Sequence, residues 1–332
     1  MSVKTEILTL LEASRGKSLS GQDMAERLGV SRAAVWKAVK ALQNEGYMVE
    51  AVNNRGYRLM ENSDVLSAEG IRLNLEKRYQ NCEIAIHKCL ESTNLEVKKR
   101  ALDGAGEGLV VLTEEQTAGR GRKGRSFASP RGTGIYMSFL FRPTPEQSTD
   151  IVLITTAAAV AICRAVRTVL HEEPSIKWVN DVYLRGRKIC GILTEAVSDF
   201  ESGRIDTVVV GIGINYREPE GGFPEELRDV AGAVCTEKNS VPRNVLVAAV
   251  INELFSLYEG LSEKSYMEDY RRWSNVLGRK VSFTVGTGTG MESDTAYGTA
   301  VDIDDDGGLV VRMEDGSEQV LRTGEITLRV CE

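Results

Sequence analysis

The stretch "GRGRKGRS", Gly119 to Ser126, is the densest cluster of positive charge in the chain, holding Arg120, Arg122, Lys123 and Arg125. Gly119, Gly121 and Gly124 let the backbone curl and approach a ligand closely. Guanidinium forks pair bidentately with phosphate oxygens, so the composition suits the polyphosphate of a nucleotide. The glycines also fit the dinucleotide spacing G-x-G-x-x-G, and the P-loop pattern G-x-x-x-x-G-K-[ST] is missed only by Arg125 in place of lysine. Both patterns need an amphipathic helix opening directly after the glycines, whose N-terminal dipole holds phosphate. Here "SFASPRGTGIYMSFLF" brings proline, glycine and another strand. A bound anion must then be met by side chains. Four cations this close repel one another, so the loop is expected to order around an anion. A solvated basic loop and a second nucleic-acid patch are the competing readings, and acidic surroundings argue against the second.

A second constellation is "KWVNDVYLRGRKICGILTE", which places Lys177, Trp178, Asn180, Asp181, Lys188 and Glu195 on one hairpin turning at Arg185-Gly186. "GIGIN", 211 to 215, adds a glycine-rich strand end with an amide, and "ESTN" adds Ser92, Thr93 and Asn94. Other chemistries are poorly supplied. His87 and His171 are the only histidines, too few for a His-rich metal site and more apt for structural roles. The six cysteines (Cys82, Cys89, Cys163, Cys190, Cys235, Cys331) form no CxxC pair and read as buried free thiols of a reducing cytoplasm. "DIDDDG", Asp302 to Gly307, follows calcium-loop spacing, but Met313 stands at the twelfth position and strands flank it. A hairpin turn is the better reading.

These groups must be carried by a chain of 332 residues, too long for one ordinary core. Residues 1–60 hold nine Lys/Arg against six Asp/Glu, while the whole chain carries a net charge of −7. An acidic chain with a basic head points to nucleic acid at that head alone. "VKTEILTLLEA" predicts one helix, and "LSGQDMAERLGVSRAAVWKAVKALQNEGY" two more joined at Gly29, with N-caps at Ser20 and Ser31. Ala25, Leu28, Val30, Val35, Val39 and Leu42 make their shared core. "YMVEAVNNRGYRLM" follows as a β-hairpin wing. This is winged helix-turn-helix patterning, with Ser31, Arg32, Ala33, Lys37 and Lys40 outward on the recognition helix and Arg55 at the wing tip. Residues 61–70 read as a linker. Strands and helices then mix up to about residue 275, among them a buried helix at Ile151–Cys163, whose 13 apolar residues are too few to span a bilayer. The opening residues show no basic-then-apolar pattern, so no secretory signal is expected. Short alternating strands from 277 to 332, "EITLRV" last, suggest a small SH3-like β-barrel. The fold class expected is multidomain α+β, divided as 1–62, 63–275 and 276–332.

Taken together, "ESTN", "EEQTAGRGRKGRSF.SP", "KWVNDVYLRGRKICGIL.E" and "GIGIN" resemble the motif series of biotin–protein ligases. With the winged helix in front, the chain is similar to the bifunctional form, biotin ligase and biotin operon repressor, over essentially its whole length. The resemblance implies two steps, biotin plus ATP giving biotinyl-AMP and then transfer to a lysine of a biotin carboxyl carrier protein, with Mg²⁺ on the phosphates. Carried over by motif, Ser92, Thr93, Asn94 and Gln116 hold the ureido ring of biotin. Gly119, Arg120, Gly121, Arg122, Lys188 and Gly191 complete the biotin site. Arg122, Arg125, Phe127, Asn180, Lys188 and Asn215 meet the nucleotide. Arg122, Arg125 and Lys188 stabilise charge, and Asp181 orients or deprotonates the incoming lysine. Phe127 departs from the tryptophan of repressor-type ligases and offers less area to stack on adenine. The resemblance further implies operator DNA as partner, a homodimer when adenylate-bound, a cytoplasmic location and no membrane. A biotin sensor without catalysis and a lipoate-type acyl ligase are the alternatives.

Overall fold

The computed structural model describes residues 2–143, 151–198, 205–236, 239–285, 294–322 and 329–330. The head comprises α1 (Val3–Ala13), β1 (Ser18–Leu19), α2 (Gly21–Leu28), α3 (Arg32–Asn44), β2 (Val49–Val52) and β3 (Gly56–Leu59). Both expected caps form, Ser20 accepting from the N–H of Gln22 and Asp23, and Ser31 from that of Ala34. Gly29, at φ 63°, closes α2 in the left-handed region and turns the chain into α3. Ala25, Val35, Val39 and Leu42 sit in a common core with Ile7, Leu8, Leu11 and Met24, while Leu28 and Val30 pack at its rim. β2 and β3 pair as the wing, and β1 adds a third strand that the sequence reading omitted.

Residues 61–70 are no free spacer. The carbonyl of Ser63 accepts from Arg15 Nη1 at 2.7 Å, Asp64 accepts from the backbone N–H of Arg243 at 2.7 Å, and Ser67 caps a further helix, α4 (Ala68–Arg72). Arg243 is only 3% exposed and also pairs with Glu114 at 2.8 Å. The polar composition of this segment therefore marks a buried ionic joint between head and core.

The core continues with β4 (Ile84–His87), α5 (Thr93–Leu102), β5 (Val110–Thr113), β6 (Gly134–Phe141) and α6 (Ile151–Leu170). Then come β7 (Ser175–Lys177), β8 (Asp181–Leu184), β9 (Arg187–Ser198), β10 (Ile205–Asn215), α7 (Arg243–Glu259) and α8 (Met267–Trp273). One seven-stranded sheet runs β4-β5-β6-β10-β9-β8-β7, parallel between β4 and β5 and antiparallel elsewhere. Period-two alternation sorts its faces. Met137, Phe139, Ile192, Val210, Ile212 and Ile214 share the core with α6 and α7, leaving Ser138, Gly191, Leu193, Gly211 and Gly213 to the opposite face. Two expectations change here. The segment 175–198 holds three strands, with a turn at 178–180 besides the one at Arg185-Gly186. The apolar helix runs 20 residues, long enough by length and composition to cross a membrane, because Arg164 and Arg167 do not end it. It packs against the sheet and α7 as a core helix.

The tail forms β11 (Lys280–Val285), β12 (Asp294–Ile303), β13 (Leu309–Met313), β14 (Glu318–Leu321) and β15 (Arg329–Val330), an antiparallel sheet in the order β14-β13-β12-β11-β15. Among the described residues this sheet stays open rather than closing into a barrel. Its Phe283, Ile303, Leu309 and Leu321 join the core that α6 and α7 share. "EITLRV" falls largely outside the described residues, as does Cys331. The expected hairpin turn falls at 304–308 between β12 and β13, with Asp304 Oδ1 accepting from the N–H of Asp306 and Gly308. Cys163, Cys190 and Cys235 are buried free thiols, but Cys89 is exposed and Cys82 half-buried, contrary to the uniform burial expected.

Candidate active site

The glycine-bearing face of the sheet is the floor of a cavity of about 960 Å³, walled by the start of α5, the 120–130 loop and the β7–β8 turn. Its polar end is a closed hydrogen-bond network. Gln116 Oε1 accepts from the N–H of Thr93 at 2.9 Å, and Gln116 Nε2 donates to Ser129 at 2.9 Å. Ser138 Oγ lies 2.7 Å from Thr93 Oγ1 and 2.6 Å from Asn94 Oδ1. Asn94 Nδ2 donates to Glu195 at 2.7 Å. Ser92, at the N-cap of α5, makes no capping bond with its hydroxyl and lines the cavity. Close approach explains the glycines beneath. A Cβ at Gly211 would lie 2.2 Å from Asn94 Oδ1, and one at Gly213 would lie 2.5 Å from the Phe127 ring.

The rest of the charged lining is mostly cationic. Arg120, Arg122, Lys123, Arg125, Lys177, Lys188, Arg217 and Arg228 line the cavity, with Glu115 and Asp181 as the facing carboxylates. Lys188 Nζ pairs with Asp181 at 2.7 Å, and Arg122 Nη1 donates to Asn180 Oδ1 at 3.0 Å. Burial lowers the Lys177 amine below its usual range; Asp181 opposes this, and the charges of Lys188 and Arg125 reinforce it. Burial likewise lowers Arg122, against the pull of Asp181. Burial raises Glu195, but hydrogen bonds from Lys98 and Asn94 outweigh it and hold the carboxyl below the ordinary range. Half-buried Arg122, Lys177, Lys188 and Arg217, with the exposed Arg120, Lys123, Arg125 and Arg228 around them, can hold an anionic group beside a neutral, hydrogen-bonding one.

Residues 86–215 match the biotin/lipoate A/B protein ligase family, residues 3–58 an HTH domain, and residues 277–329 the biotin protein ligase C terminal domain. The chain is 34% identical to the bifunctional ligase/repressor BirA of Bacillus subtilis (strain 168) over 324 residues, 96% of this chain and 97% of that protein. The chain belongs to the bifunctional ligase/repressor family. The protein of the same name from Escherichia coli (strain K12) is 30% identical over 100% of this chain and 98% of its own length. A biotin protein ligase from Aquifex aeolicus in complex with biotin and ATP superposes with a TM-score of 0.64 at 26% identity, over 75% of this chain and 99% of that one.

In this member of the family, most of the residues singled out by sequence converge. Ser92, Thr93, Asn94, Gln116, Arg120, Gly121, Arg122, Arg125, Phe127, Asn180, Asp181, Lys188, Gly191 and Asn215 all line the one cavity. Gly119 does not. It lies beneath the wall, where a Cβ would sit 2.4 Å from the carbonyl oxygen of Phe127 and 2.7 Å from Ser129 Oγ. Arg120 reaches Glu91 at 3.7 Å. The helix whose absence argued against both nucleotide fingerprints is indeed missing, with a single 3₁₀ turn at Arg122–Gly124 before the chain runs on to β6. Ser31, Arg32, Ala33, Lys37 and Arg55 are all exposed on the head. The sequence reading missed Ser138 and Arg217. A serine inside the apolar run "GIYMSFLF" was a visible signal for the first; nothing local marked the second. His87 lies outside the cavity lining, its Nε2 3.2 Å from Arg100 Nη2.

Proposed function

We propose that the chain joins biotin to ATP as biotinyl-AMP, passes biotin to a lysine of a biotin carboxyl carrier protein, and in its adenylate-bound form represses transcription of biotin genes. The observation that carries this reading is the polarity of the cavity: eight cations and two carboxylates surround a slot that ends in Ser92, Thr93, Asn94 and Gln116, with buried Ser138 bonding Thr93 and Asn94 from behind. In the first step a carboxylate oxygen of biotin attacks the α-phosphorus, the Pα–O–Pβ bond breaks, and pyrophosphate leaves. In the second the lysine amine attacks the acyl carbon and AMP leaves. Arg122, Arg125 and Lys188 meet the negative oxygens, and Phe127 lies against the base. The pairing of Lys188 with Asp181 supports a role for Asp181 in taking the proton of the incoming amine once phosphate draws Lys188 away. Among the described residues no three His, Cys, Asp or Glu cluster as a metal site, so Mg²⁺ would be held chiefly by phosphate oxygens.

The divisions 1–62, 63–275 and 276–332, an SH3-like closure of the tail, a cytoplasmic location and an adenylate-dependent homodimer belong to the same reading. The experiment is biotin-dependent ATP–pyrophosphate exchange. Lys188→Ala is expected to abolish exchange in a folded protein, since losing one such contact costs about 2.7–4 kcal/mol of barrier. Exchange at the wild-type rate overturns the site assignment. Lipoate-dependent exchange in place of biotin-dependent exchange identifies the lipoate-type ligase, and neither activity identifies a sensor.

A further inference from the structure

The turn between β7 and β8 carries Asn180 and Asp181 into the cavity, and it is held from outside the central sheet. Trp178 is buried, and its indole Nε1 donates to the carbonyl oxygen of Gly307 at 2.8 Å. Tyr270 of α8, fully buried, donates its hydroxyl to the carbonyl oxygen of Val179 at 3.0 Å. The next residue, Asn180, receives Arg122 and gives its own amide to Asp181 and to the carbonyl of Ile192. Gly307 belongs to the turn between β12 and β13, which α8 grips in its turn. Arg271 Nε donates to the carbonyl of Ile303 at 2.6 Å, and the same guanidinium pairs with Asp305. Lys264 pairs with Asp306 at 2.7 Å. The C-terminal sheet thus reaches the cavity wall through a backbone carbonyl and an indole.

We infer that the 304–308 turn of the C-terminal sheet positions the nucleotide end of the cavity, acting through Trp178 on Asn180 and through Asn180 on Arg122. A buried indole N–H and a buried carbonyl each need a partner, so each fixes the other. Arg122 is the loop cation that turns inward to Asn180, and it follows wherever that amide goes. An ångström of drift at Asn180 would release Arg122 and stretch the neighbouring Lys188–Asp181 pair, and misplacement on that scale is costly to a reaction that depends on positioning. The biotin end hangs from different elements: α5, Gln116, Ser138 of β6 and the far half of β9. Loosening the turn therefore acts chiefly on the nucleotide end of the cavity. Trp178 and Gly307 are positioning residues, and the inference rests on the cavity being the adenylation site.

The test uses the full chain with Trp178→Phe, which keeps an aromatic ring of smaller size and removes the donor, and Arg271→Gln, a half-exposed change that loosens the same turn from its outer side without altering the buried ring. ATP–pyrophosphate exchange is measured with ATP varied at saturating biotin, biotin binding by calorimetry without nucleotide, and folding by thermal melting. Trp178→Phe is expected to lower kcat/KM for ATP roughly tenfold, as one buried donor lost to an orphaned carbonyl implies. Arg271→Gln is expected to act in the same direction and less. Biotin affinity falls by less than kcat/KM for ATP in both, since Arg122 and Lys188 meet biotin only at its carboxylate. Wild-type kinetics for ATP in Arg271→Gln and Trp178→Phe overturn the inference, and so does an equal loss of biotin affinity, which a general loosening of the fold would produce. If the wild-type chain itself shows no biotin-dependent exchange, the adenylation reading fails first and the inference falls with it.

Discussion

At the scale of single residues, the site is built by exclusion as much as by contact. Gly213 leaves room for the Phe127 ring, which packs edge-on to Tyr136 at 6.4 Å between centroids. Gly213→Ala would place a methyl 2.5 Å from that ring. The ring end is free to swing toward the cavity, so stability should change by under the ~1–3 kcal/mol typical of an overfilled core. The cost appears instead as a higher KM for ATP, with biotin affinity unchanged. A variant with wild-type KM for ATP would show that Phe127 does not border the nucleotide. Lys188 and Asp181 illustrate the same scale electrostatically. Two charges in a half-buried pair satisfy each other until a phosphate competes for the amine.

At the scale of elements, α3 and β10 each divide their residues by period. In α3, Val35, Ala38, Val39 and Leu42 face the head's core and leave Arg32, Ala33, Lys37 and Lys40 exposed. Trp36 is out of step with the apolar stripe and is 53% exposed on the cationic side, a feature the sequence reading passed over. Arg32→Ala is expected to weaken binding to an operator duplex by ~1–3 kcal/mol if Arg32 reads a base. Fluorescence anisotropy on the duplex measures this, with carrier biotinylation unchanged as the control. Loss of biotinylation in the same variant would contradict the separation of head and cavity. In β10 the period-two rule sets Gly211, Gly213 and Asn215 toward the cavity and Ile212 and Ile214 toward α6 and α7.

At the scale of the whole molecule, charge and connection matter most. Nine cations against six carboxylates in residues 1–60 supply few phosphate contacts, so a single head should hold DNA weakly. Two heads on a symmetric operator would remedy this. Biotin plus ATP is therefore expected to promote dimerisation by drawing Arg120, Arg122, Lys123 and Arg125 around the adenylate. Coupling of this kind is typically about 1–3 kcal/mol, a shift of roughly 5- to 150-fold in self-association. Sedimentation at low micromolar protein, with and without biotin and ATP, checks it, and Arg122→Gly should flatten the response. A dimerisation constant indifferent to ligand would leave the two functions joined only through residues 61–70. Those residues are a firm joint, since buried Arg243 takes Asp64 and Glu114 together, their charges outweighing the burial that would otherwise lower the guanidinium.

Local rules were enough for much of this. Side-chain period and capping chemistry determined the three helices and wing of the head, the inward and outward faces of α3, and the alternation in β10, because each depends on neighbours a few residues apart. Residue type and spacing singled out the basic loop and the Lys177–Glu195 segment, and the resemblance to biotin–protein ligases joined Arg122, Asn180, Lys188 and the Ser92–Asn94 run into one site. What only the tertiary structure decided were pairings between distant segments. Ser138 meets Asn94 across 44 positions, Arg243 meets Asp64 across 179, and Trp178 meets Gly307 across 129. No local pattern encodes these. A polar residue reads as solvated in sequence, and only the packing of β6 under α5, or of the tail against α8, takes it out of water and obliges it to find a partner.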